Sequence, residues 1–252
     1  DSRQSRGLGD VYKRQIHGLT IDYGPYGWLE DYNPGWTPNT TDASHRRYRY
    51  GQQPQIGAWN LARWLESLIP LMQEPQRLEG VLDHYGEVFN QHHNAMWAAK
   101  LGLGVWRDED QELVVQLNSA LQIIETDMTI FFRTLASIAA PNVSLLSDAF
   151  YQPIGEAEAP LQAWLHEWWA RVGGEPDRAI MMASNPKYVL RNWMAQLAID
   201  EAEKGDFTLC EDLHSLLMNP YDEQPEQEER WFQRRPEWAR NRVGCSMLSC
   251  SS

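Results

Sequence analysis

A mainly α fold with one short β-region near its start is what the sequence predicts, and three observations carry it. Apolar residues recur at intervals of three and four through most of the chain, the spacing of helices with one buried face. Glycines and prolines fall between these stretches, where helices end. The exception is Leu19-Thr20-Ile21, a short β-prone run. It stops at Asp22-Tyr23-Gly24-Pro25, which neither continues a strand nor starts a helix cleanly.

The elements follow in order. "DSRQSRGLGDVYKRQ", residues 1–15, is polar and mostly basic with no hydrophobic period. It reads as a disordered leader, or as a foreign segment joined to a truncated reading frame. Residues 16–55 hold the β-run and then a long loop with Pro34, Pro38 and Pro54 and several glycines. Loops of that length are functional or disordered, and the Trp and Tyr within this one favour an ordered, docked segment. Residues 56–220 form a helical body. Leu61, Trp64, Leu65 and Leu68 mark a first helix, and "PQRLEGVLDHYGEVFNQHHNAMWAAKLGL" a second, closed by Gly102. From Asp108, the stripe Leu113, Leu117, Leu121, Ile124, Met128, Phe131, Leu135 predicts one long helix stopped by Pro141. Leu161, Trp164, Leu165 and Trp168 mark another, ended by Gly173-Gly174. "NPKYVLRNWMAQLAIDEAEKGD" predicts a helix entered at Asn185-Pro186 and left at Gly205, and a shorter one spans Leu209 to Met218. Residues 221–252, rich in Pro, Glu and Gln, read as an extended tail ending in Cys-Ser-Ser.

Composition narrows the function. With 252 residues the chain is long enough for a large core, and 12 Trp and 10 Tyr put aromatic packing at its centre. A net charge of -13 argues against a nucleic-acid surface, which needs clustered Lys and Arg. The one basic cluster, "HRRYRY" from His45 to Tyr50, is short but able to meet phosphates locally. No run of ~18 apolar residues is present to span a membrane, and no secretory hydrophobic region opens the sequence. Three cysteines make no disulfide framework and suit a reducing compartment.

The candidate chemistry divides unevenly. His92 and His93 are adjacent, so on a helix they point about 100° apart and do not share one ion; they read as a structural or surface pair. Trp164, Trp168 and Trp169 sit at helical spacing and read as core. Cys245 and Cys250 lie five apart in the terminal segment, away from zinc spacing. Asp22 stands out by its setting. A short strand, an Asp-aromatic-Gly triplet, a long aromatic loop and a helical body have the layout of the C-terminal lobe of a protein-kinase-like fold. There such an Asp binds Mg²⁺ bridging nucleotide phosphates, and the Gly lets the backbone turn beside the metal.

Several longer blocks sharpen this. "GLTIDYGPYGWLEDYNPGW", "TPNTTD", "RRYRYGQQPQIGAWNLARW", "KLGL", "DMTIFFR", "NPKYVLRNWMAQ" and the ending "LSCSS" together resemble the selenoprotein O family, in consistent order from about Ile16 to Ser252. The resemblance covers the C-terminal portion of such a protein. It implies a kinase-like fold, a pseudokinase by descent, that acts as a protein adenylyltransferase. Such an enzyme binds ATP with Mg²⁺ or Mn²⁺ and transfers AMP to Ser, Thr or Tyr hydroxyls of target proteins, releasing pyrophosphate. By the same resemblance Asp22 ligates the metal and lies against the nucleotide phosphates. Cys250 matches the position held by selenocysteine or cysteine in the family, a redox candidate.

The departures from the family pattern are specific. Its general-base Asp lies ten residues before the triplet Asp and a metal-binding Asn nine before; here those positions hold Tyr12 and Lys13. A phenol is a poor base near neutral pH, and an ammonium brings a cation where a metal should sit. The family's nucleotide-gripping N-terminal lobe has no counterpart in this sequence. A Cys that pairs with the tail Cys in some members is Pro38 here. The expectation is thus a fragment of an adenylyltransferase with Asp22 as half of a metal site, no retained catalytic base and no activity alone. A non-catalytic helical interaction module and an ordinary kinase-like phosphotransferase are the rival readings. The compartment would be cytoplasmic for a bacterial source and mitochondrial for a eukaryotic one.

Overall fold

A computed structural model describes residues 29–37, 44–78, 80–242 and 245. The β-run, Asp22, Tyr12, Lys13, Pro38, Cys250 and the leader lie outside the described residues. The chain divides into two compact units. Of the described residues, the first holds 33–37, 44–78 and 80–93, and the second 29–32, 94–242 and 245. Among the described residues there is no strand, only an isolated antiparallel bridge between Thr126 and Phe150.

In the first unit a loop folds back on itself and leads into a helix. Gly35 N donates to Asn33 Oδ1 at 3.0 Å. Tyr50 N donates to Trp36 O and Gly51 N to Pro34 O, each at 2.8 Å. Gly51 is required by this contact, since a Cβ there would meet Pro34 Cβ at 2.9 Å. A 3₁₀ turn at Tyr50–Gln52 then runs into α1, Gln53–Leu68, with Pro54 in its first turn where a missing N–H costs nothing. Tyr85, on α2 (Val81–Lys100), crosses α1 at Gly57 and donates its hydroxyl to Pro54 O at 3.0 Å.

The second unit is built on the expected stripes. Helices α3 (Asp110–Ala120), α4 (Met128–Leu135) and α5 (Glu158–Arg171) bury Leu117, Phe131, Leu135, Leu161, Leu165 and Trp168 in one core. Each such side chain contributes roughly 1.5–3 kcal/mol on burial. Trp164 and Trp168 stack at 6.0 Å, and their indole N–H groups donate to Leu113 O and Leu101 O, both at 2.8 Å. Trp164 and Trp168 are core, as their spacing suggested, while Trp169 is half-buried and packs against it. Gly102 closes α2 with φ +65, and a Cβ there would strike Met181 of α6 (Arg178–Ser184) at 2.9 Å. A second cluster joins α7 (Asn192–Ala202), α8 (Thr208–Met218) and α9 (Pro225–Trp231), with Trp193 and Trp231 stacked at 5.8 Å.

Three expectations change. The long helix from Asp108 to Leu135 is two helices, because residues 121–127 leave the helix and Asp127 caps α4 through Ile130 N at 3.0 Å. The stretch from Asn185 is not helical until Asn192. There Asn185, Lys187, Tyr188 and Arg191 are buried and spend their polar groups on tertiary partners. The segment read as an extended tail carries α9 and a 3₁₀ turn at Glu237–Ala239, seated by buried Trp231 and Ala239.

Candidate functional site

Residues 29–32 begin five residues after Gly24 of the Asp22 motif, and the second unit grips them. Met128 N, at the first position of α4, donates to Glu30 O at 2.8 Å. The Glu30 side chain is only 8% exposed, and its Oε2 accepts from Arg235 Nη1 at 2.9 Å. Its Oε1 has no hydrogen-bond partner among the described residues. Burial pushes the Glu30 carboxyl above the usual carboxylate range, against the pull of Arg191 and Arg235. Burial raises Asp31 as well.

The anchor beneath is a buried charge network. Asp127, wholly buried, takes Arg191 bidentately, with Nη2 donating to Oδ1 at 3.0 Å and Nη1 to Oδ2. A planar guanidinium against a carboxylate in this way fixes orientation as well as charge. Asp127 N donates to Ala149 O at 2.8 Å and Tyr151 N to Glu125 O at 3.1 Å, flanking the Thr126–Phe150 bridge. Glu125 pairs with Arg235, and with Arg240 at 2.8 Å. Tyr151 lies among the guanidinium groups of Arg234, Arg235 and Arg240, 5.2–5.9 Å from its ring centroid, and its oxygen accepts from Arg235 N at 3.0 Å. Burial moves this phenol well above its ordinary pKa, so it acts as a hydrogen-bonding group and not as a base. Beside it opens a cavity of about 440 Å³, walled by Val143, Phe150, Pro153 and Ile154, with Arg234 on its lining.

A second polar hub lies at the end of α2. Lys100 Nζ donates to Asn185 Oδ1 at 2.7 Å and sits 3.9 Å from the Phe132 ring centroid. Burial lowers its pKa to about 8. Asn185 returns its amide to Lys100 O and Met181 O, both at 2.9 Å, and Arg133 donates to Asn185 O at 2.9 Å.

These arrangements hold chain segments in place. Among the described residues no group of three or more His, Cys, Asp or Glu is arranged to hold a metal ion. His93 stacks on Phe89 at 5.7 Å. Cys245 is buried and Cys210 exposed, both free thiols. Asp22, the Tyr12 base position and Cys250 lie outside the described residues. Sequence reasoning missed Glu30, Asp127 and Arg191. Each sits inside a block that marks the resemblance, but their pairing across long separations leaves no local trace.

The model of the family described as protein adenylyltransferase SelO matches residues 13–218. The chain belongs to this family. Among curated relatives, a protein nucleotidyltransferase YdiU of Aromatoleum aromaticum is 48% identical over 255 residues, covering 98% of this chain and 49% of the relative. The protein of the same name from Flavobacterium johnsoniae is 44% identical, with the same coverage. That from Rhodopirellula baltica is 48% identical over 98% of this chain and 50% of its own length. This SelO-family chain thus spans about half the length of the curated relatives it matches. Among its described residues no helix is long and apolar enough to cross a membrane.

Proposed function

We propose that the SelO-family protein to which this sequence corresponds transfers AMP from ATP to Ser, Thr or Tyr hydroxyls of other proteins, with release of pyrophosphate. The family match across residues 13–218, which includes Asp22-Tyr23-Gly24, carries this reading. The helical second unit supports a kinase-like C-terminal lobe, with Glu30 and Asp127 fixing the chain just beyond the metal motif.

Asp22 is the metal ligand in this scheme. A carboxylate oxygen is the hard donor that Mg²⁺ or Mn²⁺ prefers. The bound ion would neutralise phosphate charge as pyrophosphate leaves. Tyr12 and Lys13 do not fit the rest of such a site, because a neutral phenol takes no proton near neutral pH and an ammonium repels a cation. This chain by itself therefore transfers no AMP in our reading. The test incubates it with ATP labelled at the α-phosphate, Mg²⁺ or Mn²⁺ and acceptor proteins. No labelled protein is expected; robust labelling abolished by Asp22→Ala would overturn the claim of inactivity. Tyr12 and Lys13 also favour a second reading, a non-catalytic interaction module. An ordinary phosphotransferase is told apart by its products, ADP and phosphoprotein in place of pyrophosphate and protein-bound AMP. Cys250 remains the proposed redox residue, checked by thiol alkylation before and after oxidation.

A further inference from the structure

The cavity beside Tyr151 carries two charges that the anchor of Glu30 and Asp127 does not use. It measures about 440 Å³ and is lined from the 3₁₀ helix Val143–Ala149, the turn after it, the first residue of α5 and Arg234. That volume is within the range of small-molecule sites, roughly 300–1,000 Å³. Most of the lining is apolar, with Val143, Phe150, Pro153 and Ile154. Its frame is tied down by the fold. Val143 N donates to Gln162 Oε1 of α5 at 3.0 Å, and Asn142 Oδ1 caps the 3₁₀ helix through Ser144 N at 3.0 Å. Glu158, on the same lining, is exposed, and its carboxylate has no hydrogen-bond or ion-pair partner among the described residues. Arg234 has no carboxylate partner among them either. Its Nη1 donates to Phe150 O, and its guanidinium lies 5.9 Å from the Tyr151 ring centroid, so the side chain is oriented. A guanidinium has five N–H donors; Nε and Nη2 of Arg234 meet no acceptor among the described residues. The neighbouring cations differ. Arg235 and Arg240 line a second cavity of about 340 Å³ that shares Tyr151 and Arg234, and they are neutralised by Glu30, Glu125 and Glu237.

We propose that this cavity binds an apolar zwitterion, an amino acid or short peptide with free ends, its carboxylate on Arg234, its ammonium on Glu158 and its side chain against Val143, Phe150 and Ile154. Two observations select that class. One unneutralised charge of each sign on an apolar lining matches the two charged ends and the apolar body of such a molecule. The chain's net charge of -13 works against a simple anion, whereas a ligand without net charge is neither drawn nor repelled as a whole. Neither nucleotide nor Asp22 takes part, so the binding does not rest on AMP transfer.

The experiment is isothermal titration calorimetry of the full chain with leucine and with leucyl-leucine, the two arms that separate an amino acid from a peptide. At least one probe should bind with a Kd of about 1 mM or tighter. In the unaltered chain, the N-acetyl and the amide forms of that probe, which lack the ammonium and the carboxylate, should each bind roughly tenfold more weakly. Glu158→Gln should weaken the probe by a similar factor while leaving the N-acetyl form unaffected, and Arg234→Gln should weaken it while leaving the amide form unaffected. Absence of binding by both probes overturns the inference, as do N-acetyl and amide forms that bind the unaltered chain as tightly as the probe. Variants that bind the probe as the unaltered chain does overturn it too.

Discussion

Replacing Asp127 with alanine removes the post on which the segment beyond the Asp22 triplet is hung. The side chain is wholly buried, caps α4 through Ile130 N and carries both guanidinium nitrogens of Arg191, itself 2% exposed. Breaking one partner of a buried pair leaves an uncompensated charge and costs ~3–5 kcal/mol. Losing an N-cap adds ~1 kcal/mol. The combined loss of about 4–6 kcal/mol is a large share of the 5–15 kcal/mol that holds a domain folded. With a urea slope near 1–3 kcal/mol/M, the midpoint should fall by about 1 M or more. Urea unfolding followed by near-ultraviolet circular dichroism reads this, since Trp164 and Trp168 are fixed in the same unit. Asp127→Leu combined with Arg191→Met should recover much of the loss, because neither charge is then left alone. A loss below about 1 kcal/mol for Asp127→Ala, or a double variant as weak as the single one, would refute the reasoning.

Two further expectations are independent of that anchor. The Lys100 amine has a folded pKa of about 8 against an ordinary 10.5, so the unfolded chain binds its proton more tightly. The cost of burying the charge is in full force below pH 8 and disappears as pH rises towards 10.5, a gain of about 3 kcal/mol for this group. Lys100→Met should flatten the difference in unfolding free energy between pH 7.5 and 9.5, and equal slopes in both proteins would count against the assignment. Gly51→Val places side-chain atoms where a Cβ already meets Pro34 Cβ at 2.9 Å, and overpacking of that kind costs ~1–3 kcal/mol. Hydrogen exchange in α1 should quicken, whereas unchanged protection would mean the loop does not dock through Pro34.

The helical character and its punctuation were legible because they are local. Stripes at three and four placed α3, α4 and α5, and Gly102 and Gly173-Gly174 ended their helices where expected. The break between α3 and α4 was not legible, since Leu121, Ile124 and Met128 continue the stripe across it. The new start is set by Asp127, which caps α4 through Ile130 N and is held by Arg191, 64 residues away. Lys187 hides its reason in the same way, pairing with Glu223 and Glu228 in the segment read as a tail. Those pairs, with Trp231 stacked on Trp193, order a stretch whose composition looks like a linker. The candidate residues differ in how the sequence marks them, and Asp22 lies outside the described residues. Asp22 is visible through its Asp-Tyr-Gly triplet, whereas Glu30, buried and pointing at Arg235, looks in sequence like any exposed loop acid.

The central claim is that Asp22 is the metal-binding carboxylate of an AMP-transferring enzyme. It is tested most directly in a chimera, with this chain carrying Tyr12→Asp and Lys13→Asn in place of the matching half of the Aromatoleum aromaticum relative. Parallel reactions would use ATP labelled at the α- or the γ-phosphate, Mn²⁺ and an acceptor protein. Our account predicts α-label on acceptor hydroxyls, no γ-label, and loss of transfer with Asp22→Ala. Transfer of γ-label, or α-label that survives Asp22→Ala, would contradict it.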